Sequence, residues 1–321
     1  MREQVRKAGK LGSRPSVERL SPRLTLANAN ILSDAVRHTV VSLLVHVARE
    51  IVMPRYRTLQ STDISEKSPG ETVTIVDHEA EAALHEGLRE LLPGARIVGE
   101  EAASDDPGLL EHLDEGLVWL IDPVDGTSNF SAGKPPFGVM IALVSDGQPV
   151  AAWLYDPLAR RLCRAERGRG AFIDDVAARV TSPARRPVAS LATQFMTAEM
   201  RSGVESAFAK AFDLAPIPRC AAEHYPRLVL GGNQVALFQR TLPWDHVAGA
   251  LFLAEAGGRV ARWDGSPYRV GDGKIGILAA SHDESWETAL NILRVINLPD
   301  DMPVPFQIAA KGLSRKGAAA Q

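Results

Sequence analysis

The stretch Trp119-Leu-Ile-Asp122-Pro123-Val124-Asp125-Gly126-Thr127-Ser128-Asn129-Phe130 constrains this chain most, because it runs a buried strand into an acidic turn. Val118 to Ile121 is a short apolar run with a β-branched end, the pattern of a buried strand. Pro123 fixes its own φ and biases Asp122 toward an extended backbone. The turn therefore sits at the carboxyl end of a strand, where open α/β sheets place their ligand sites. Asp122 and Asp125 are three apart across it, so both carboxylates can converge on one spot. Like charges that close repel, and a divalent cation is the usual remedy. With the Val124 carbonyl they form a hard oxygen donor set suited to Mg²⁺. Gly126 lets the backbone turn tightly. Thr127 and Ser128 can cap a following helix, whose free N–H groups favour an anion such as phosphate. Taken alone, Asp-Pro-x-Asp-Gly reads first as an acidic turn between strand and helix.

The 321 residues allow one large α/β domain or two modest ones. With 45% apolar and 23% charged residues there is ample core material for an ordinary globular protein. A net charge of −3 makes no electrostatic case for nucleic acid as the main partner. The two cysteines, Cys163 and Cys220, are far apart, so no disulfide framework is expected and a reducing cytoplasm fits. No apolar run reaches membrane-spanning length; Val40 to Val47 is broken by Ser42 and His46. The basic start carries no compact apolar core with a cleavage site, so no signal peptide is expected.

Residues 1–30 are basic and poor in apolar side chains and read as a disordered extension. Ser33 to Tyr56 has Val36, Val40, Leu44, Val47 and Ile51 at helical spacing, with Ser33 as N-cap. Val73 to Val76 reads as a strand, after which Asp77 can cap a helix burying Ala80, Leu84, Leu88 and Leu91. Arg96 to Gly99 reads as a strand ending in a charged loop, Glu100 and Glu101; Ser104 to Gly108 reads as a simple turn. Gly138–Val144, Val150–Tyr155, Arg161–Ala165 and Ala171–Ile173 are spaced as successive antiparallel strands between turn residues. Gly168-Arg-Gly170 belongs to one of those turns and lacks the ending of a phosphate loop. Ser182 to Pro187 marks a boundary between an N-terminal α+β unit, 31–186, and a C-terminal α/β unit, 187–299; 300–321 reads as a disordered tail. In the second unit, helices are expected around Met200–Phe212 and Tyr225–Leu230. A further helix opens at Trp244-Asp245 and ends at Gly257-Gly258. Asp245 alone reads as a helix-dipole residue, and His246 beside it as a residue that supports the site from behind or is structural.

The full string Asp-Pro-Val-Asp-Gly-Thr-Ser-Asn-Phe resembles the signature of the inositol monophosphatase family of Mg²⁺-dependent phosphatases, with Ser128 where that family usually has Thr. Thr74-x-x-Asp77, Gly99-Glu100-Glu101 and Trp244-Asp245 resemble further elements of the family, in its order and approximate spacing. The resemblance implies a layered α-β-α-β-α sandwich of the inositol monophosphatase and fructose-1,6-bisphosphatase type, often a homodimer. It implies two or three Mg²⁺ ions on Glu100, Asp122, the Val124 carbonyl, Asp125 and Asp245. Glu100, Thr127 and Asp77 become the catalytic set, Glu100 and Thr127 orienting water and Asp77 lying near the metals, and Asp125, Gly126, Thr127, Ala221 and Glu223 the substrate contacts. The expected activity is hydrolysis of a small phosphorylated metabolite, inositol 1-phosphate being the first candidate.

Two departures open the substrate question. Family members specific for inositol usually carry a carboxylate about seven residues before the Trp-Asp aspartate, where this chain has Phe238. The usual Ser/Thr-Ala-Ala stretch reads Cys220-Ala221-Ala222, followed by Glu223 and His224. Histidinol phosphate and a 3'-phosphoadenosine-type nucleotide therefore stay open as substrates, with Glu223 or Gln239 as possible replacements for the missing acceptor. A regulatory binding protein that has lost catalysis is the rival from another class, and retention of every metal-binding carboxylate argues against it.

Overall fold

The structure is a computed structural model and describes residues 32–68, 70–181, 186–296 and 298. The expectations for 1–30, for most of Ser182–Pro187 and for 300–321 lie outside these residues.

Ser33 caps the first helix, α1 (Asp34–Val47), accepting the Val36 N–H at 3.2 Å. The rod continues through a π turn, Ala48–Val52, into Met53–Arg55. The π turn ends two residues before Pro54, which has no N–H to give to the carbonyl four residues back. A hairpin of β1 (Ile64–Ser68) and β2 (Glu71–Thr74) leads into α2 (Ile75–Leu91). The strand ends two residues earlier than expected, because Thr74 rather than Asp77 is the N-cap. Thr74 accepts from the Val76 N–H, and Asp77 in the third helical position accepts from the Thr74 N–H at 2.8 Å and hydroxyl at 2.6 Å. Such a reciprocal box stabilises a helix start by about 1 kcal/mol.

A seven-stranded sheet follows. β3 (Arg96–Gly99) pairs in parallel with β4 (Leu117–Asp125), and between them runs a short helix, α3 (Glu100–Asp105). The segment expected to be a simple turn is instead the end of α3 and a 3₁₀ turn, Pro107–Leu110, whose Gly108 N–H is accepted by Asp106. β4 is longer than its apolar run. Its antiparallel ladder with β5 (Gly138–Ser145) continues to Asp122 and resumes at Asp125 after a register shift. Gly126, at φ +85°, is the N-cap of α4 (Thr127–Ser131), so Thr127 is the first helical residue and not the cap. β6 (Gln148–Asp156), β7 (Arg161–Glu166), β8 (Gly170–Ile173) and β9 (Val176–Ala178) then add in sequence order, the expected meander.

The second sheet has five strands. β10 (Val188–Ala192) lies parallel to β11 (Asp213–Ala215) and β12 (Val235–Phe238), with α5 (Ala198–Phe208) and α6 (Ala221–Leu230) as connections. Both helices start earlier than expected; α5 also ends earlier, at Phe208, while α6 ends at Leu230 as expected and accommodates Pro226. α7 (Pro243–Glu255) leads to β13 (Arg259–Ala261), β14 (Ile277–Ala280) and α8 (Asp283–Ile296). The order is β11-β10-β12-β14-β13, with β14 antiparallel to both neighbours.

The layers alternate as the resemblance implies. α1 and α2 cover one face of the seven-stranded sheet through Val40, Leu44, Leu84 and Leu88, which meet Trp119 and Ile141. On its other face lie α6 and α7, which fill the space to the five-stranded sheet with Tyr225, Val247 and Phe252. α5 and α8 close the far side with Phe208 and Trp286. α7 is apolar nearly all round because both its faces are covered. A Cβ at Gly249 would come within 1.9 Å of the Tyr225 ring, so only glycine allows α6 and α7 to pack this closely.

If α7 is the central packing element, Phe252→Ala should cost about 3–5 kcal/mol. Leu214→Ala, at a side chain 41% exposed, should change stability by no more than about 0.5 kcal/mol. Urea unfolding of the two variants compares them; similar small losses would contradict this placement of the core.

Candidate active site

Three acids that are far apart in sequence meet in one cleft. Glu100 opens α3, Asp122 ends the regular part of β4, and Asp245 sits in the first turn of α7. One carboxylate oxygen from each lies within 4.8 Å of the others. Asp122 Oδ1 is fully buried with no hydrogen-bond partner among the described residues. Burial raises Asp122 well above the usual carboxylate range, and Glu100, Asp125 and Asp245 raise it further. Burial likewise lifts Glu100, against the pull of Lys67, and lifts Asp245 to about 6 against the pull of Arg240. Buried carboxylates with few donors aimed at them form an uncompensated cluster of negative charge. An all-oxygen set with an orphaned carboxylate oxygen fits Mg²⁺, a hard cation that prefers carboxylates.

The position of each acid has a local cause. Glu81, on α2, accepts the Glu101 and Ala102 N–H groups, both at 2.8 Å, and so holds the start of α3. A Cβ at Gly99 would lie 2.2 Å from the Glu81 carboxyl carbon, so glycine is needed just before Glu100. Asp122 is fixed by its ladder position opposite Met140. Asp245 is placed by Pro243, which is favoured in a first helical turn because its missing N–H is not needed there.

Lys67, on the β1–β2 hairpin, donates to Glu100 at 2.6 Å and to Glu101 at 2.9 Å. Burial lowers its pKa, but the two carboxylates outweigh burial and the net shift is upward. The sequence reading gave Lys67 no role. A lysine in a Ser-Pro-Gly turn carries no local sign that its partners lie 33 and 34 residues on. Glu81 was missed for the same reason, since it reads as an ordinary helix residue.

The remaining candidates divide. Asp77 and Thr127 are joined: the Thr127 hydroxyl lies 3.0 Å from Asp77 Oδ1 and 2.9 Å from the Val124 carbonyl. Burial raises Asp77, while hydrogen bonds from Thr74 and Thr127 oppose the shift. Asp125 lines the same cleft as the triad, but its Oδ2 accepts from the Cys220 thiol at 3.0 Å and from the Ala222 N–H. Asp122 and Asp125 thus share a cleft, while the oxygens that cluster with Asp122 come from Glu100 and Asp245. Gly126, Thr127 and Ala221 also line the cleft, whose volume is about 490 Å³. Glu223 does not line it; its carboxylate is engaged by Arg161 and by Arg227 at 2.7 Å. His246 lines the cleft as well, and its ring is held between the Tyr225 hydroxyl at 3.1 Å and the Arg240 carbonyl at 3.0 Å. His224, which lines the cleft edge-on to Phe238, is brought by burial to about 3 and is neutral.

A layered α-β-α-β-α protein with a carboxylate triad lining one cleft, its Asp122 buried and its Glu100 and Asp245 partly so, is thereby defined. Residues 34–296 match the model described as the inositol monophosphatase family, and the chain belongs to that family. It is 31% identical over 246 residues to the Nus factor SuhB of Vibrio cholerae, covering 74% of this chain and 90% of that protein. It is 33% identical over 240 residues to an inositol-1-monophosphatase of Caulobacter vibrioides, covering 68% and 86%. The solved extragenic suppressor protein suhB from Bartonella henselae has a TM-score of 0.68 at 26% identity, covering 81% of this chain and 98% of that one.

The raised carboxylates tie stability to pH and to metal. A buried acid whose folded pKa lies above its unfolded value favours the folded state when protonated, and that benefit is lost as pH rises through the folded pKa. For Asp245 the loss spans from about 4 to about 6. Metal-free protein should therefore lose melting temperature over that range. The increase caused by saturating Mg²⁺ should be larger at about pH 8 than at about pH 5, where protons compete for the same oxygens. Thermal melts across pH, with and without Mg²⁺, measure this. An Mg²⁺ increment that shrinks as pH rises would contradict the assignment.

Proposed function

We propose that this chain is a Mg²⁺-dependent phosphatase of small phosphate monoesters. The convergence of Glu100, Asp122 and Asp245 on one buried spot, with Asp122 Oδ1 orphaned, is the observation that carries this reading. Two or three ions would be held by these three carboxylates, with Asp125 and the Val124 carbonyl as further donors. When bound, Mg²⁺ supplies positive charge for the ester and lowers the pKa of water. The remaining work falls to the chain. Thr127, steadied by Asp77, presents its hydroxyl to orient the attacking water; that hydroxyl has one proton, so it donates to Asp77 or to Val124 but not to both at once. Glu100 is the second orienting group and a candidate base. The N–H groups of Gly126 and Thr127 are suited to hold phosphate oxygens.

The leaving-group side is apolar where inositol-specific members carry a carboxylate. Phe238 forms part of that wall, and Ala221 lies nearby. An inositol-1-monophosphatase-like activity is one form of the reading, supported by the name of the Caulobacter relative. A histidinol phosphatase or a 3'-phosphoadenosine-type nucleotidase is the alternative. We further assign the protein to the cytoplasm as a homodimer, each chain divided into the two units 31–186 and 187–299. Among the described residues no helix is long and apolar enough to cross a membrane. The relatives named Nus factor SuhB motivate a second reading, a regulatory binding role, which retention of the acid cluster does not require.

Two variants test the catalytic reading. Glu100→Gln should lower kcat by about 10²-fold or more, with a smaller effect on KM. Asp122→Asn should abolish phosphatase activity and leave the metal-free melting temperature equal or higher, since it removes charge from a repulsive cluster. Steady-state assays on a panel of monoesters, with melts of each variant, give both answers. Full activity in Asp122→Asn would sink the proposal, and an effect of Glu100→Gln confined to KM would make Glu100 a substrate contact.

A further inference from the structure

One charged pair in the cleft wall is not used by the account above. Arg240 lies between β12 and α7, five residues before Asp245, and lines the cleft. Its guanidinium stacks on the Phe195 ring, 4.5 Å from the centroid. Its ion partner is Glu71 on the β1–β2 hairpin, and Glu71 lines the same cleft. The other Glu71 oxygen accepts the Ser68 hydroxyl at 2.7 Å. Both side chains of the pair keep about one-fifth of their surface exposed, 20% and 20%.

We propose that Arg240 is a substrate-selecting residue that exchanges Glu71 for a second anionic group, a carboxylate or a phosphate, on the leaving alcohol of the substrate. The proposal rests on the phosphatase reading. Four observations carry it. First, a largely buried guanidinium needs an anion at all times, because leaving it unpaired is far costlier than keeping any one particular partner. Replacing one carboxylate by another anion keeps that requirement met, so the exchange is inexpensive. Secondly, the pair opens onto the cleft and not onto the protein interior, so an incoming anion reaches it without unfolding anything. Thirdly, the Phe195 ring beneath the guanidinium steadies the Arg240 head group in the cleft wall, and its planar fork suits bidentate recognition of carboxylate or phosphate. Fourthly, Arg240 and Asp245 leave the same short connection. A substrate whose ester phosphate sits at the acid triad thus has Arg240 in the wall of the same cleft as a partner for its leaving group. Phe238, two residues earlier, offers that leaving group an apolar surface and no hydrogen-bond acceptor. The wall thus favours a compact leaving group bearing negative charge over a neutral polyol. Displaced Glu71 keeps its Ser68 contact and can turn to water.

The test compares matched substrates that differ only in that charge: 2-phosphoglycerate with glycerol 2-phosphate, and adenosine 3',5'-bisphosphate with adenosine 3'-monophosphate. The first pair reports a carboxylate and the second a phosphate. Wild-type protein with Mg²⁺ should favour the charged member of at least one pair in kcat/KM. Arg240→Gln should reduce that charged-to-neutral ratio by about 10-fold or more, with Arg240→Lys falling between, because lysine keeps the charge but not the fork. Glu71→Gln should raise the ratio, since it weakens the competitor. Calorimetric binding of the same compounds to wild type and Arg240→Gln, with melts to establish folding, separates this inference from the phosphatase reading. Binding ratios that shift as described in a protein that hydrolyses none of the four, nor inositol 1-phosphate or histidinol phosphate, would uphold Arg240 and overturn the phosphatase. A charged-to-neutral ratio that Arg240→Gln and Arg240→Lys leave unchanged, in turnover or in binding, would overturn the role of Arg240.

Discussion

Repulsion among buried carboxylates is the constraint on which the rest of this molecule turns. Glu100, Asp122 and Asp245 bring an oxygen each within 4.8 Å of one another in a cleft where Asp122 is buried and the other two are partly so. At that separation two full charges cost each other roughly 3–4 kcal/mol at an effective dielectric of about 20. A fold does not hold such groups together by their mutual contacts, so rigid neighbours must impose the arrangement. Here they are two sheets and the helix between them. β4 brings Asp122 and the first turn of α7 brings Asp245, and Phe252 and Val247 bury α7 against both sheets. The packing core therefore supplies the energy that sets the acids against one another.

Partial relief comes from the hairpin. Lys67 pairs with Glu100 and Glu101, and Glu71 on the same hairpin pairs with Arg240 across the cleft. The β1–β2 hairpin thus touches both sides of the site through charge, not through apolar packing. Asp77 and Thr127 form a separate polar group beside it, anchored by the capping box at the start of α2. Among the carboxylates of the triad, Asp122 has a fully buried oxygen, Oδ1, with no hydrogen-bond partner among the described residues, and there a cation would be most strongly favoured.

Much of this was legible in the sequence, and the reasons are specific. The strand–acid–glycine run at 118–127 carried its own turn chemistry, so β4, the bulge acids and Gly126 were found together. The meander from β5 to β8 was legible because each strand is apolar and each turn carries Gly, Asp or Pro. The family resemblance added what periodicity could not, namely that Glu100 and Asp245 join Asp122. What stayed hidden were the interactions between distant segments. Lys67, Glu81 and Arg240 look like surface charges in one dimension, because their partners lie on other elements. Glu223 looked like a pocket carboxylate, and two arginines that the sequence did not place beside it hold it outside the cleft lining. The start of α2 was displaced by one cap, since Thr74 and Asp77 are both competent caps and only the folded hairpin decides between them.

The most direct measurement is a calorimetric titration of the metal-free protein with Mg²⁺ at about pH 6, near the raised pKa of Asp245, repeated in buffers of different ionisation heat. If the triad is a proton-sharing cluster waiting for a cation, Mg²⁺ should bind with release of protons into the buffer, and fewer should be released by Asp122→Asn. Binding without proton release at that pH, or no binding to the wild-type protein, would contradict the account.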